Sequence, residues 1–120
     1  MKAVNVQSAL AVFASPAHAS NQLWFYKTGP GEYGEGDRFI GLTVPQTRSV
    51  AAEFKDLSLA ETYLLGTSPI HEHRLCALVI LVNQFDKSKE EKVRKAIFET
   101  WMKLLREGHI NNWDLVDVSA

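Results

Sequence analysis

Two side chains near the end of the chain have types and spacing that suit chemistry. Trp113 and Asp117 stand four residues apart in the stretch HINNWDLVD, and Asn111 or Asn112 can cap a helix that begins at Trp113. Residues four apart lie on one helix face, so an indole ring and a carboxylate become neighbours there. Asp114 is explained more simply, because an acid in the first helical turn complements the dipole. The structural alternative for the pair is a packed ring beside a water-bound acid.

The stretch HEHRLC contains residue types that bind zinc. His71, His73 and Cys76 are spaced by two and three residues, which spreads them over different faces of a helix. Leu75 occupies the position where a zinc protease helix has its second histidine. We therefore expect no metal and no cofactor. The alternative is that this helix has one side in the core and a polar side made of Glu72, His73 and Arg74, with Arg74 able to reach a phosphate or a neighbouring helix.

The loop GPGEYG, from Gly29 to Gly34, matches the spacing of a dinucleotide fingerprint. That fingerprint requires a preceding strand, whereas the pattern here predicts a preceding helix. The nearby acids Glu32, Glu35 and Asp37 would also repel a pyrophosphate. We interpret this stretch as a glycine loop between helix pairs, with glycines free to adopt positive φ.

The segment KSKEEKVRKAIFETWMKLLR carries seven of the 13 basic residues of the chain. Its acids fall four residues before a cation at Glu90–Arg94, Glu91–Lys95 and Glu99–Lys103, which favours a solvated helix face with ion pairs. The surplus positive charge can add phosphate contacts. Trp101 is interpreted as core, together with the apolar residues Ile97, Phe98, Leu104 and Leu105, and so are most of the aromatic rings of Trp24, Phe25 and Tyr26.

The elements that must position these residues are almost all helices. Pro16, Pro45 and Pro69 stand where helices can begin, and Ser58 with Glu61 and Ser88 with Glu91 have the spacing of capping boxes. The apolar run VIL is also compatible with a buried strand, but its length from Pro69 favours a helix. The predicted helices span about 4–14, 15–27, 45–55, 58–65, 68–85 and 88–105, with a seventh from Trp113. The first has Val6, Leu10 and Phe13 on one face.

Composition places the chain among ordinary soluble globular domains. It has 120 residues, of which 46% are hydrophobic and 22% charged, and a net charge of −1, which does not by itself indicate a nucleic-acid partner. No apolar run approaches the roughly 20 residues that cross a bilayer, so no membrane contact is expected. The N-terminal stretch has the outline of a secretory signal, but its polar interruptions favour a first amphipathic helix. The single cysteine fits a reducing compartment, and we expect a cytoplasmic protein.

The fold class that follows is all-α. Short connections between helices predict antiparallel pairs, and stacked pairs would form a solenoid of about three pairs in one domain, 1–120. On pattern alone, a solenoid and a plain helical bundle both remain open.

Several separated motifs in this chain resemble one family. The stretches FYKTGPGEYGEGDRFIGLTVPQTR, SPIHEHRLCALVILVNQF and NNWDLVD occur in the order found in the AlkD-like DNA alkylation repair glycosylases, which are built of HEAT-like helical repeats. The resemblance covers nearly the whole chain. It implies a HEAT-like α-solenoid and hydrolysis of the N-glycosidic bond of N3- and N7-alkylated purines in double-stranded DNA, without a metal or an organic cofactor.

The resemblance also implies site residues. Asp117 matches the catalytic aspartate of the family, and Trp113 matches an aromatic wall beside the deoxyribose. Phe25 or Tyr26 corresponds to an aromatic residue of the second helix, and further DNA contacts are expected from Arg48 and Arg74.

Length leaves a second interpretation open. Family members are about twice as long, so the chain resembles the N-terminal half of a solenoid or a shortened relative. Counterparts of a second tryptophan and an arginine of the family's site would lie after Ala120. The alternative function is a non-catalytic helical-repeat module that binds DNA or a protein. An exposed terminal repeat would favour a homodimer.

Overall fold

The computed structural model describes residues 1–17, 19 and 38–110, and this part of the chain is all-helical. It contains five α-helices, which we number in chain order: α1 Ala3–Ala11, α2 Val44–Glu53, α3 Leu59–Gly66, α4 His71–Lys87 and α5 Glu91–Arg106. The only β-type pairing among the described residues is a single parallel bridge between Arg38 and Ile70. The predicted fold class is therefore confirmed.

Helix α1 is shorter than the predicted segment 4–14. Val6 and Leu10 are fully buried, as the periodicity predicts, but Phe13 lies beyond the helix and is 40% exposed. A new helical turn begins after Ser15, whose carbonyl accepts from the N–H of Ala19. The remainder of the predicted second helix, to Lys27, lies outside the described residues.

Helices α2 and α3 begin at side-chain caps. Thr43 and Gln46 form a reciprocal capping box before α2, with N–H to side-chain distances of 2.9 and 3.2 Å. Ser58 caps α3 by accepting from the N–H of Glu61 at 3.2 Å, as predicted. The Glu61 carboxylate, however, accepts from the N–H of Ala3 at 2.8 Å, so it joins α3 to the start of α1.

Helix α4 is the centre of the fold. It continues without interruption from His71 to Lys87, so the VIL run is helical, and it packs against all four other helices. Its first eleven residues, His71–Leu81, are all buried. Glu72, His73 and Arg74 are the polar residues of this helix start, as predicted. All three are buried, however, so they face other parts of the protein rather than solvent.

Helix α5 departs from the sequence prediction at its start and on its surface. Its N-cap is Glu90 without a side-chain cap, and Ser88 instead ends α4, where its N–H donates to the carbonyl of Gln84 at 3.0 Å. The predicted capping box from Ser88 is therefore wrong, because the chain is still extended at Ser88 and turns helical only after Glu90.

The buried edge of α5 consists of Ile97 and Leu104, whereas Phe98 and Leu105 are 54% and 37% exposed and Trp101 is half-buried. The predicted core position is thus correct for Ile97 and Leu104 and wrong for Phe98 and Leu105. The helix approaches α3 closely, since a Cβ at Gly66 would lie 2.9 Å from a methyl carbon of Leu104.

The helix packing is compatible with a helical-repeat solenoid. Helix α3 packs against α1, α4 and α5, and α1 also packs against α2. None of the described helices combines the length and apolarity needed to span a membrane.

Candidate functional site

The predicted site residues divide into two groups. Trp113, Asp117, Phe25 and Tyr26 lie outside the described residues, as do Asp114, the glycine loop 29–34 and the predicted seventh helix, so their assignments stay predictions. The other two, Arg48 and Arg74, are described.

Those two arginines occupy different environments. Arg48 is exposed on α2, where its side chain is accessible to a ligand. Arg74 lies in the first turns of α4 and is only 6% exposed. Their predicted contacts with DNA stay predictions.

The chain re-enters the described part through a segment, 38–43, that is fastened to the start of α4. Arg38 donates its N–H to the carbonyl of Pro69 at 3.3 Å, and its own carbonyl accepts from the N–H of His71 at 2.7 Å. The ring of Phe39 stacks on the imidazole of His71 with centroids 4.6 Å apart. These contacts fix where the segment 38–43, which leads into α2, lies on the protein.

A buried carboxylate on α4 also binds the segment 38–43. Glu72 is 1% exposed, and its two oxygens accept from the backbone N–H groups of Ile40, Gly41 and Leu42 at 2.9–3.1 Å. Three charge-assisted bonds satisfy an acid that would otherwise be costly to bury. Its position in the first turn of α4 also complements the helix dipole. Glu72 is therefore an anchoring residue rather than a group available to a ligand.

Gly41 allows the segment 38–43 to pass close to Ser15. Its φ of +89° is a conformation that residues with a side chain rarely adopt, and a Cβ there would lie 1.9 Å from the carbonyl oxygen of Ser15. Ser15 in turn donates its N–H to the carbonyl of Ile40 at 2.8 Å. The segment is thus clamped between the turn at Ser15 and the first turn of α4.

Ser68 and His73 form a second buried polar contact at this junction. Ser68 Oγ lies 2.9 Å from His73 Nδ1 and accepts from the N–H of Ile70 at 3.1 Å. Burial lowers the pKa of His73, and the neighbouring Glu72 carboxylate raises the pKa by a smaller amount. A serine within hydrogen-bond distance of a histidine is also the arrangement of a catalytic nucleophile and its general base. Here both are buried, and Glu72 is bonded to backbone N–H groups, so the contact is structural.

The cations of α5 contact aromatic rings. The Arg94 guanidinium lies 4.1 Å from the centroid of the Phe85 ring, and its Nε donates to the Phe85 carbonyl at 3.3 Å. Lys103 lies 4.4 Å from the centroid of the Tyr63 ring. Within residues 38–110, none of the three predicted pairs of α5 forms an ion pair, which corrects that prediction. A ring face and a carbonyl compete successfully for these cations because exposed ion pairs gain little in water.

The Tyr63 hydroxyl also marks the point where α3 meets the end of α5. It donates a hydrogen bond to the Glu107 carboxylate, and that bond raises the pKa of Tyr63. Among the described residues, no three histidine, cysteine, aspartate or glutamate side chains are grouped to hold a metal ion.

Sequence reasoning missed the role of Glu72 and the capping box at Thr43. Thr43 and Gln46 carry a recognisable signal, a threonine followed three residues later by glutamine with a proline between them. No local signal identifies Glu72 as an anchor, because its partners lie about 30 residues earlier in the chain.

The sequence matches the family described as DNA alkylation repair enzyme over residues 6–120, a range that includes both the junction at Glu72 and the stretch with Trp113 and Asp117. Comparison with curated proteins and with solved structures finds no match. Because the family match extends over nearly the whole sequence, this chain belongs to the DNA alkylation repair enzyme family.

Proposed function

We propose that this protein is a DNA glycosylase, resembling AlkD, that hydrolyses the N-glycosidic bond of N3- and N7-alkylated purines in duplex DNA. The observation that carries the proposal is the family match over residues 6–120, because it includes the Trp-Asp-x-Val-Asp stretch at Trp113–Asp117. Membership in a DNA alkylation repair family supports DNA as the substrate.

The chemistry of the lesion explains why few groups suffice. An alkylated purine already carries a positive charge, so the bond from N9 of the purine to C1′ of the sugar can break with its electron pair moving to the base. Positive charge then develops on the deoxyribose, and a carboxylate beside it stabilises that state. We assign this role to Asp117, which would also position the water whose oxygen bonds to C1′ while one of its protons passes to solvent. The products are the free base and an abasic site.

Trp113 has the complementary role in this proposal. An indole face is electron-rich, so a tryptophan against the sugar favours the positive charge that develops there. If the stretch is helical, residues four apart share a face, which would bring both groups to one deoxyribose.

The structure supports a rigid framework for such a site. Glu72 binds the backbone at 40–42 against the buried first turns of α4, so the chain enters the described core at residue 38 in a fixed position. Catalytic side chains require this kind of support, since small displacements of a reacting group cost large factors in rate.

Base release from a methylated duplex tests the proposal. Under single-turnover conditions the chain should release 7-methylguanine, and Asp117→Asn should reduce the rate roughly 100-fold or more. Asp114→Asn is the matched control, because it removes the same charge three residues away and should leave the rate within a few-fold. Thermal unfolding of both variants shows whether the fold is retained.

Two outcomes would reject this assignment. Equal rates for the Asp117→Asn variant and the unsubstituted chain would remove Asp117 from the reaction. DNA binding that weakens with salt, without any base release, would instead support the non-catalytic helical-repeat module.

A further inference from the structure

One groove on the described surface combines cations with aromatic rings. It lies where the end of α4 meets the first turns of α5 and has a volume of about 580 Å³. We call it the basic groove, and its lining consists of Phe85, Glu91, Lys92, Arg94, Lys95 and Phe98. Three cations and one acid give this small surface a net positive charge in a chain whose total charge is −1.

Arg94 is a half-buried, preorganised cation in the lining of the groove. Its contact with the Phe85 ring and its bond to the Phe85 carbonyl hold the guanidinium in place. Among residues 38–110 no carboxylate forms an ion pair with it, so its charge is not neutralised there. A cation held in this way has lost much of its side-chain freedom before any anion binds, which reduces the entropic cost of binding.

Lys92, Lys95 and Phe98 form the accessible rim. Both lysines are exposed, and Phe98 leaves 54% of its surface exposed. An exposed phenylalanine beside lysines fits a ligand that alternates apolar and anionic groups. The sugar–phosphate backbone of DNA has this alternation, with a deoxyribose between successive phosphates.

We propose that the basic groove binds the backbone of duplex DNA, with Lys92 and Lys95 on phosphates and the Phe98 ring against a deoxyribose. This contact involves none of the residues assigned to the reaction, and it rests on the proposed function only for duplex DNA as the ligand. It gives three of the seven basic residues of the segment 87–106 a role that ion pairs on the helix surface do not provide.

Salt-dependent binding to an unmodified duplex tests the groove without requiring base release. The variant Lys92→Gln/Lys95→Gln should weaken binding roughly tenfold and lower the slope of log K against log salt by up to about 1.8, since each phosphate contact contributes about 0.9. Phe98→Ala should weaken binding a few-fold with the slope unchanged, because it removes an apolar contact.

The matched control is Lys103→Gln/Arg106→Gln on the same helix. It removes the same charge about 16 Å further along α5, beyond the screening length at physiological salt. The control pair should change affinity less than twofold. Thermal unfolding confirms that all variants are folded, which their exposed positions lead us to expect.

The outcomes separate this inference from the proposed glycosylase reaction. Equal losses of DNA affinity in the Lys92→Gln/Lys95→Gln and Lys103→Gln/Arg106→Gln variants would show a general charge effect and would overturn the groove proposal. No loss of affinity in either variant would overturn it as well. Failure of the unsubstituted chain to bind duplex DNA would also overturn the proposal. Binding of an acidic protein in place of DNA would then identify a different ligand for the groove. Groove-dependent DNA binding without base release would support the groove while rejecting the reaction.

Discussion

Glu72 lies in the first turn of α4 and binds the backbone of residues 40–42. Glu72 is buried and bound to three backbone N–H groups, so its charge is part of the architecture. Removing the charge leaves those donors with poorer partners in a place that water does not reach.

We therefore expect Glu72→Gln to lower the free energy of unfolding by about 3 kcal/mol, because a neutral amide accepts weaker hydrogen bonds and brings an N–H₂ group toward N–H donors. Urea unfolding measures the change. Glu53→Gln is the control, since Glu53 is exposed on α2 and should change stability by less than about 0.5 kcal/mol. Similar small effects at both positions would contradict the anchoring role.

His73 makes stability depend on pH. Burial lowers the pKa of His73 in the folded protein below its ordinary value of 6.5. As the pH falls below that value, the unfolded chain therefore binds more protons at His73 than the folded protein does. Its contribution should be fully present above that pH, and stability should fall as the pH decreases through and below it. Urea unfolding from about pH 8 to about pH 5 measures this, and His73→Gln should flatten part of the decrease. Superimposable profiles for the two proteins would show that His73 is not responsible.

At the scale of elements, the connections between helices are more specific than the helices themselves. The segment 38–43 touches the start of α4 through backbone bonds, a ring stack and Glu72, and it passes Ser15 at a distance that only a glycine permits. The boundaries of the five described helices, by contrast, were predicted within a few residues from the sequence.

Two glycines with positive φ provide a matched test of this close approach. Gly41→Ala should destabilise the protein by at least about 3 kcal/mol, because it adds a clash with the Ser15 carbonyl to the strain of a left-handed backbone. Gly108→Ala has a similar φ of +79° but nothing within 4 Å of the added Cβ. It should cost only about 1 kcal/mol in urea unfolding. Equal costs would mean that the segment 38–43 can move away from Ser15.

At the scale of the whole molecule, the buried part of α4 keeps solvent and reagents away from its side chains. Cys76 lies within this buried part with 0% exposure, and burial raises the pKa of its thiol to about 12. A thiol this protected is both inaccessible and protonated at neutral pH.

Cys76 should therefore react with a disulfide reagent only when the fold opens. We expect labelling in native buffer to be slow and to accelerate in urea along with unfolding. The control is Ser49→Cys in a Cys76→Ala background, since position 49 is exposed on α2 and should react at once. Fast native labelling of Cys76 would show that α4 is uncovered locally, without global unfolding.

The limits of sequence prediction follow from the range of each interaction. Apolar periodicity, prolines and the cap at Ser58 act over a few residues, so they were sufficient to predict an all-helical chain and a continuous α4. The Ser88 capping box failed because the path of the chain between two packed helices decided where α5 begins. Phe98 was assigned to the core because periodicity identifies an apolar face but not how much of it is covered.

The sequence by itself determined the helical class, the family and the pairing of Trp113 with Asp117 in one motif, because these depend on residue types at short spacing. Only the tertiary structure decided that Glu72 is an anchor, that the polar start of α4 is buried, and that Lys92, Arg94 and Lys95 share a groove with Phe98. Those facts depend on which distant segments meet, and burial and charge compensation are set by such contacts rather than by neighbours in the chain.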